Sequence, residues 1–289
     1  MQNDRIVVLP VHEVSGNAEL AEGNIDFRGD IVIHGNVESG VNIRATGSIT
    51  IDGVAEACML EAGKDIILRG GMLGGNKASV KTKGAITAKF FEFTNILCEG
   101  DLQADVLMDC SVICHGQIRL TGRKGSIIGG KVQAIRGLIA TSLGNDAEKR
   151  TEIFVGAGID VYSRLRVMEK KIETTREELA KIEEGLEKFE ILSKERGVSY
   201  TNDPRRTSLL RIKIKDSAML ASDEEEVRKL RILAESSRGA CVSVIQEIYP
   251  GVIINMDELK LALKNMATGV EFYKLPDKIG TRPCSAGVE

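Results

Sequence analysis

Residues 23–53, GNIDFRGDIVIHGNVESGVNIRATGSITIDG, contain two copies of one short pattern, GDIVIHG (29–35) and GSITIDG (47–53). In each copy a glycine precedes an apolar–x–apolar triplet, Ile31 with Ile33 and then Ile49 with Ile51, and Val41 with Ile43 forms a third such pair between them. Strand side chains alternate, so each triplet points two side chains inward and one outward. The pattern recurs in GKDIILRG (63–70), GAITAK (84–89), GDLQAD (100–105), GQIRLTG (116–122) and GLIATSLG (137–144). Aligning the copies puts Ile31, Ile49, Ile66, Ile86, Leu102, Ile118 and Ile139 in one register, with spacings of 18, 17, 20, 16, 16 and 21 residues. A rung this short cannot bury its own apolar face. Rungs must therefore stack through parallel main-chain hydrogen bonds and share one column of Ile, Val and Leu. The expected fold class is all-β: a single-stranded, right-handed parallel β-helix of about seven rungs, on the order of 35 Å tall. A strict six-residue repeat, as in the left-handed acyltransferases, is set aside because GGMLGGNKASVKTKG and RKGSIIGG break its phase.

Composition marks where this pattern stops. Of the 30 glycines, 23 lie between Gly16 and Gly158, and proline is absent from Val11 to Asp203, a combination that means tight regular turns rather than a linker. From Tyr162 to about Arg238 glycine nearly vanishes and Glu, Lys, Arg and Leu take over, the composition of helix. Leu165, Met168, Ile172, Thr175, Leu179, Ile182, Leu186 and Phe189 alternate steps of three and four, a heptad seam. Gly197 can end this helix, and Asp203 with Pro204 can cap and start the next. The second segment keeps Leu209, Leu220, Val227 and Leu230 but loses strict phase around Asp216 and Asp223. An inserted antiparallel coiled-coil hairpin is expected, its first helix on the order of 50 Å long. After it, 240–249, 251–256 and 270–275 read as strands, and 257–266 has helical composition without a decisive pattern. The expected domains are a β-helix over 14–160, the hairpin over 162–238 and a β-rich tail over 239–279 that packs back on the solenoid and protects an exposed edge.

Composition also limits function. A formal net charge of -3 gives no electrostatic reason to expect nucleic acid, and 4% aromatics leave few stacking platforms for bases or sugars. The six cysteines form no CxxC pair and read as reduced cytosolic thiols. No apolar run approaches the roughly 18 to 20 residues that span a bilayer, so a cytoplasmic protein without an integral membrane segment is expected. GGMLGGNK imitates a phosphate loop, but Asn76 follows Gly75 where lysine is required, Lys77 comes one residue late, Ala78 replaces the hydroxyl after it, and strand-like sequence follows. Cys110, Cys114 and His115 are the nearest approach to a metal cluster; in an extended strand the two thiols would lie roughly 13 Å apart, and buried thiols lining the column are the better reading. A Cys/His nucleophilic pair has no support beyond the presence of Cys residues with His12, His34 and His115. Asp101, Asp105 and Asp109, the candidate carboxylates for a polysaccharide-active β-helix enzyme, read as turn residues. Ten basic residues between Arg69 and Arg136 are taken as solvated loops rather than a patch for an acidic protein or an anionic membrane surface. No catalytic residue, cofactor or metal ligand is expected.

Taken together, the segment from Gly23 to Gly71, AITAKFFEFTNILCEGDLQADVLMDCSV, RKGSIIGGKVQA, TEIFVGAG and the helical hairpin resemble the flagellar assembly protein A family of bacteria, in order and spacing, over roughly Val14 to Ile279. The resemblance is to the family's carboxy-terminal part, which implies a truncated form without the longer amino-terminal region. The family's β-helix is similar to those of bactofilins and of the division-site inhibitor's carboxy-terminal domain, and implies scaffolding rather than catalysis. The expected function is a non-catalytic scaffold or adaptor in flagellar or cell-surface organisation that binds protein partners, with homo-oligomerisation through the coiled coil or the solenoid ends open. The alternatives are a polysaccharide-active enzyme and a self-polymerising, bactofilin-like element. Partner contact is expected on the hairpin: at Leu179 and Leu186, which an imperfect second seam leaves incompletely covered, and at the tip, Tyr200, Asn202, Asp203 and Arg205.

Overall fold

The computed structural model describes residues 10–197, 199–201 and 203–285. The chain divides into two compact units, one of residues 1–158 with 236–289 and one of residues 159–235.

The first unit is a β-solenoid in which every turn contributes to three parallel ladders. On face 1, His12, Ile31, Ile49, Ile66, Ile86, Leu102, Ile118, Leu138 and Val242 are successive partners. Face 2 runs from Ala18 through Val37, Ala55, Met72, Phe91, Leu107, Ile127 and Leu143 to Ile248. Face 3 begins at Ile25 and passes through Ile43, Leu60 and Val80 to Ile254. From the second level upward these side chains point into one core and are at most 3% exposed. The triplets behave as their alternation requires: Ile31 and Ile33 are buried and Val32 between them is half-exposed.

Two sequence expectations need correction. The last aligned repeat is slipped by one residue: Ile118 pairs with Leu138, and Ile139 pairs with Arg119 and faces outward. The cause is the glycine used as anchor. In this turn Arg136 occupies the corner position, its N–H donating to the Gly116 carbonyl at 3.1 Å, so Gly137 stands one place later than the glycines before it. A six-residue phase, set aside on the sequence, is also present in the early turns, where Ile31, Val37, Ile43, Ile49 and Ala55 step by six from face to face. The insertions that break the count are absorbed at corners. One is the bend at Gly75 (φ 53°) and Asn76 (φ 61°) within the strand Met72–Thr82, and the other is the loop 121–125.

The corners themselves explain the glycine spacing. The Gly53 N–H donates to the Gly35 carbonyl at 3.0 Å, and Gly35 repeats the contact to Gly16. A Cβ on Gly53 would lie 2.5 Å from the Gly35 oxygen, so the rungs can approach this closely only without one. Asn and Asp side chains beside these glycines complete the stacking: Asp30 accepts from the Ser48 N–H at 2.7 Å, Asn36 from Val54 at 2.8 Å and Asp65 from Ala85 at 2.7 Å.

The strands Cys241–Ile248 and Val252–Met256 continue the parallel ladders on faces 1, 2 and 3, so the column gains a level beyond the aligned repeats. Then the direction changes. Leu259–Ala262 and Ala267–Lys274 pair antiparallel to those strands, and Ile279–Pro283 pairs antiparallel to Ala267–Lys274. The segment 257–266 is thus turn and strand rather than helix. This reversal covers backbone donors and acceptors that a parallel column would otherwise expose at its last level.

The second unit consists of two helices, α1 (Gly158–Arg196) and α2 (Pro204–Ser236). Gly197 (φ 62°) ends α1 in the left-handed conformation that favours glycine. Asp203 caps α2: its Oδ1 accepts from the Arg205 N–H at 2.8 Å, and its carbonyl accepts from Thr207. Among the described residues no helix is long and apolar enough to cross a membrane.

Candidate functional site

The chemistry that a catalytic reading needs is not gathered in one place. Asp101, Asp105 and Asp109 follow strands of faces 3, 1 and 2 in turn, so they sit at three different corners of the solenoid. Asp101 accepts from the Gln117 N–H at 2.8 Å and pairs with Arg136, and Asp109 pairs with Lys149 at 2.5 Å. The glycine-rich run 70–77 leads into a strand, where no helix N-terminus is offered to phosphate. Among the described residues no group of three His, Cys, Asp or Glu side chains is placed to hold a metal ion.

The thiols and histidines follow the same logic. Cys58, Cys98, Cys110 and Cys114 are buried in the column, and Cys98 and Cys114 are in-register partners on adjacent rungs of face 3. Burial pushes the Cys58 thiol up to about 12 and that of Cys110 up to about 11. The hydrogen bond with Cys98, followed by burial, pushes the Cys114 thiol up as well. A nucleophilic thiol requires the opposite shift, which of these four only Cys98 shows: the hydrogen bond from Cys114 lowers its pKa against its own burial, and the side chain is closed inside the column with no exposure to a substrate. His34 stands between two carboxylates, Nε2 at 2.6 Å from Glu13 Oε1 and Nδ1 at 2.9 Å from Asp52 Oδ2, and Asp52 is also 3.1 Å from Arg69. These hydrogen bonds, that to Glu13 first, raise its pKa above 6.5 and favour an imidazolium held by charge.

The helical unit presents a different kind of surface. In α1 the seam residues Ile172 and Thr175 are buried, and Leu165, Met168, Leu179, Ile182, Leu186 and Phe189 are half-buried. In α2 the buried or half-buried positions 209, 213, 216, 220, 223, 227, 230 and 234 keep alternating steps of four and three. The phase expected to fail at Asp216 and Asp223 therefore continues through both. Asp223, 8% exposed, occupies a seam position because Lys171 Nζ lies 2.7 Å from its Oδ2. Opposite Leu209, a Cβ on Gly185 would sit 3.4 Å from the Leu209 Cδ1, so α1 has a glycine where α2 presents a leucine.

At the turn between the helices Tyr200 is half-buried, its ring 6.1 Å from that of Phe189, and both line a hollow of about 240 Å³ with Lys194 and Arg206. The structure brings Tyr200 near the cap residue Asp203, whose backbone N–H donates to the Tyr200 carbonyl at 3.1 Å. Arg205 is exposed, Leu179 and Leu186 lie along the seam of α1, and Asn202 is outside the described residues. More prominent than any of these are apolar side chains off the seam that sequence periodicity passed over. Among the described residues, seven of the thirteen large hydrophobic side chains that stand exposed are in the helices, including Val167 (68%), Ile214 (70%) and Ile232 (58%).

The ten basic residues of the middle rungs are spread around the solenoid. Lys83 and Arg136 are at the corner between faces 3 and 1, Lys81 and Lys131 are on face 3, Arg119 is on face 1 and Lys77 is at the face 2–3 bend. Arg69, Lys89, Arg123 and Lys124 share the remaining corner, between faces 1 and 2.

No curated protein and no solved structure matches the chain. A family model does: the flagellar assembly protein A β-solenoid domain matches residues 10–279, nearly the whole of both units. The stacked ladders, the corner glycines and this match agree that the chain belongs to the flagellar assembly protein A β-solenoid family.

Proposed function

We infer that the protein is a non-catalytic, cytoplasmic scaffold or adaptor. Family membership points to flagellar assembly. In this reading the solenoid winds right-handed and serves as a stiff platform, and the helical unit is an antiparallel coiled coil that binds a protein partner or a second copy of itself. The register of the ion pairs supports the coiled coil. With Leu165, Ile172 and Leu179 as a positions, Arg176–Glu224 (2.5 Å) and Glu169–Arg231 (2.7 Å) join e to e, and Arg164–Glu226 joins g to g. Those are the pairings of antiparallel helices.

The observation that carries the partner-binding role is the set of exposed apolar side chains outside that seam: Val167, Ile191, Ile212, Ile214 and Ile232 contribute nothing to a closed two-helix core yet are 45 to 70% exposed. Large apolar groups left on a charged helical surface are what a docking helix covers. Tyr200, Asp203 and Arg205 belong to the same unit and form part of the proposed contact surface, and Leu179 and Leu186 support it from within the seam. The antiparallel strands over the last level favour an adaptor over a polymerising, bactofilin-like element, since they occupy edges that stacking would use. The separation of Asp101, Asp105 and Asp109 disfavours polysaccharide chemistry. The test is Ile212→Ser combined with Ile214→Ser and Ile232→Ser, followed by affinity capture from the native cell. Loss of captured protein with an unchanged helical circular-dichroism signal is expected; identical capture would refute the assignment.

A further inference from the structure

Passage from face 1 to face 2 is short in two consecutive turns, five residues from Ile86 to Phe91 and five from Leu102 to Leu107, and then long, nine residues from Ile118 to Ile127. The extra chain, 121–125, is a loop fixed at its far end, where the Gly125 carbonyl accepts from the N–H groups of Thr141 (2.8 Å) and Ser142 (3.1 Å). Insertions in repeat architectures form surface walls, and here the wall stands beside an apolar floor. Phe90, Val106 and Met108 point outward from face 2 and are half-buried. The Phe90 ring lies on the backbone of the preceding rung: a Cβ on Gly71 would fall 2.5 Å from its Cδ1. Together these residues enclose a cavity of about 330 Å³.

The rim of the cavity carries Lys89, Arg123 and Lys124, all exposed and, among the described residues, in no ion pair. Two carboxylates also line it, Glu92 and Asp105, both half-buried, and the Asp105 carboxylate is turned toward Gly122 in the loop. Cations therefore dominate the exposed rim. The volume suits one aromatic or branched aliphatic side chain with a little of its backbone. Of the four cations on this corner Arg69 is held by Asp52, and the three that remain are too few to follow a nucleic-acid backbone, while a recessed apolar floor cannot insert into a bilayer as a protruding one would.

We propose that this cavity binds an acidic segment of a partner protein, taking one apolar side chain onto Phe90, Val106 and Met108 while flanking carboxylates meet Lys89, Arg123 and Lys124. Charge complementarity supplies orientation and the apolar anchor supplies affinity. The site belongs to the solenoid alone and stands or falls separately from the role given to the helices.

The test uses an array of heptapeptides with a central Phe, Leu or Trp and flanks of Asp, Glu, Ser or Lys, probed with the full chain. The best acid-flanked peptide is then measured by fluorescence anisotropy. Only acid-flanked peptides should be retained, with affinity falling at least tenfold in the R123E/K124E double variant and in Met108→Glu. R123E/K124E should keep the wild-type melting curve, because both residues are exposed, and Met108→Glu, at a half-buried outward position, should melt somewhat earlier but stay fully folded by its strand circular-dichroism signal at the assay temperature. Replacing 162–238 by a Gly/Ser linker should leave peptide affinity unchanged. Retention of lysine- or serine-flanked peptides, retention of none, or undiminished binding by R123E/K124E overturns the proposal. So does dodecanoate that binds the chain and displaces the peptide, which would assign the cavity to a small amphiphilic anion.

Discussion

Replacing Leu138 by alanine removes most of a side chain that is 0% exposed and sits between Ile118 below and Val242 above. Its neighbours are rungs held by continuous parallel ladders, so the column cannot collapse to fill the gap, and a cost near 3 to 4 kcal/mol is expected within the range of about 2 to 5 for such truncations. Ile139, one residue on, faces outward and is only half-buried, so Ile139→Ala should cost about 1 kcal/mol. With a denaturant dependence of roughly 2 to 3 kcal/mol per molar urea, the Leu138 change lowers the solenoid midpoint by about 1 M or more and the Ile139 change by less than half of that. Urea titration followed by far-ultraviolet circular dichroism at a wavelength weighted to strand separates the two. If Ile139→Ala proves equal to or worse than Leu138→Ala, the ladder is slipped by one residue and every partner assigned to this turn is wrong.

Three further outcomes follow from the same structure. Gly53→Ala, whose new Cβ would meet the Gly35 carbonyl, should cost at least about 2 kcal/mol, whereas Gly75→Ala, with left-handed φ but open space, should cost about 1; equal midpoints in urea would contradict the close approach of the corners. For His34 the raised folded pKa means that its ion pairs contribute stability below the unfolded value of 6.5 and lose it as pH rises through the folded value. A proton NMR titration should place its midpoint above 6.5 and show it falling in Glu13→Gln; a midpoint at or below 6.5 refutes the charge sandwich. In native protein, Cys241 and Cys284, which are half-buried, should react with a maleimide well before Cys58, Cys98, Cys110 and Cys114, and early labelling of Cys114 would show that the column opens.

Parts of this architecture can be read from the chain alone because their cause is local. The triplets of face 1 and face 3 and the corner glycines repeat visibly, since each rung meets the same packing and the same close approach. Face 2 is nearly invisible, because one inward side chain, such as Val37 or Ala55, is all that marks it in the early turns. The continuation of the column after the helices is not legible for a different reason: Leu138 finds its partner Val242 across an insertion whose length hides the register. In the helices the seam is legible in α1, but a seam carboxylate reads as a break until Lys171 is seen beside Asp223. The cavity at Phe90 needs knowledge of which corners stack, although the length of 121–125 was a signal that one turn carries more chain than its neighbours.

The most direct measurement of the proposed role is replacement of residues 162–238 by a short Gly/Ser linker in the native cell, with the solenoid shown to remain folded by its strand signal. Captured partners, oligomeric state and localisation are then compared with those of the intact chain. If the helical unit makes the contact, the solenoid survives while a specific partner or self-association is lost. Unchanged capture, unchanged oligomeric state and unchanged localisation would contradict it and move the interaction to the solenoid faces.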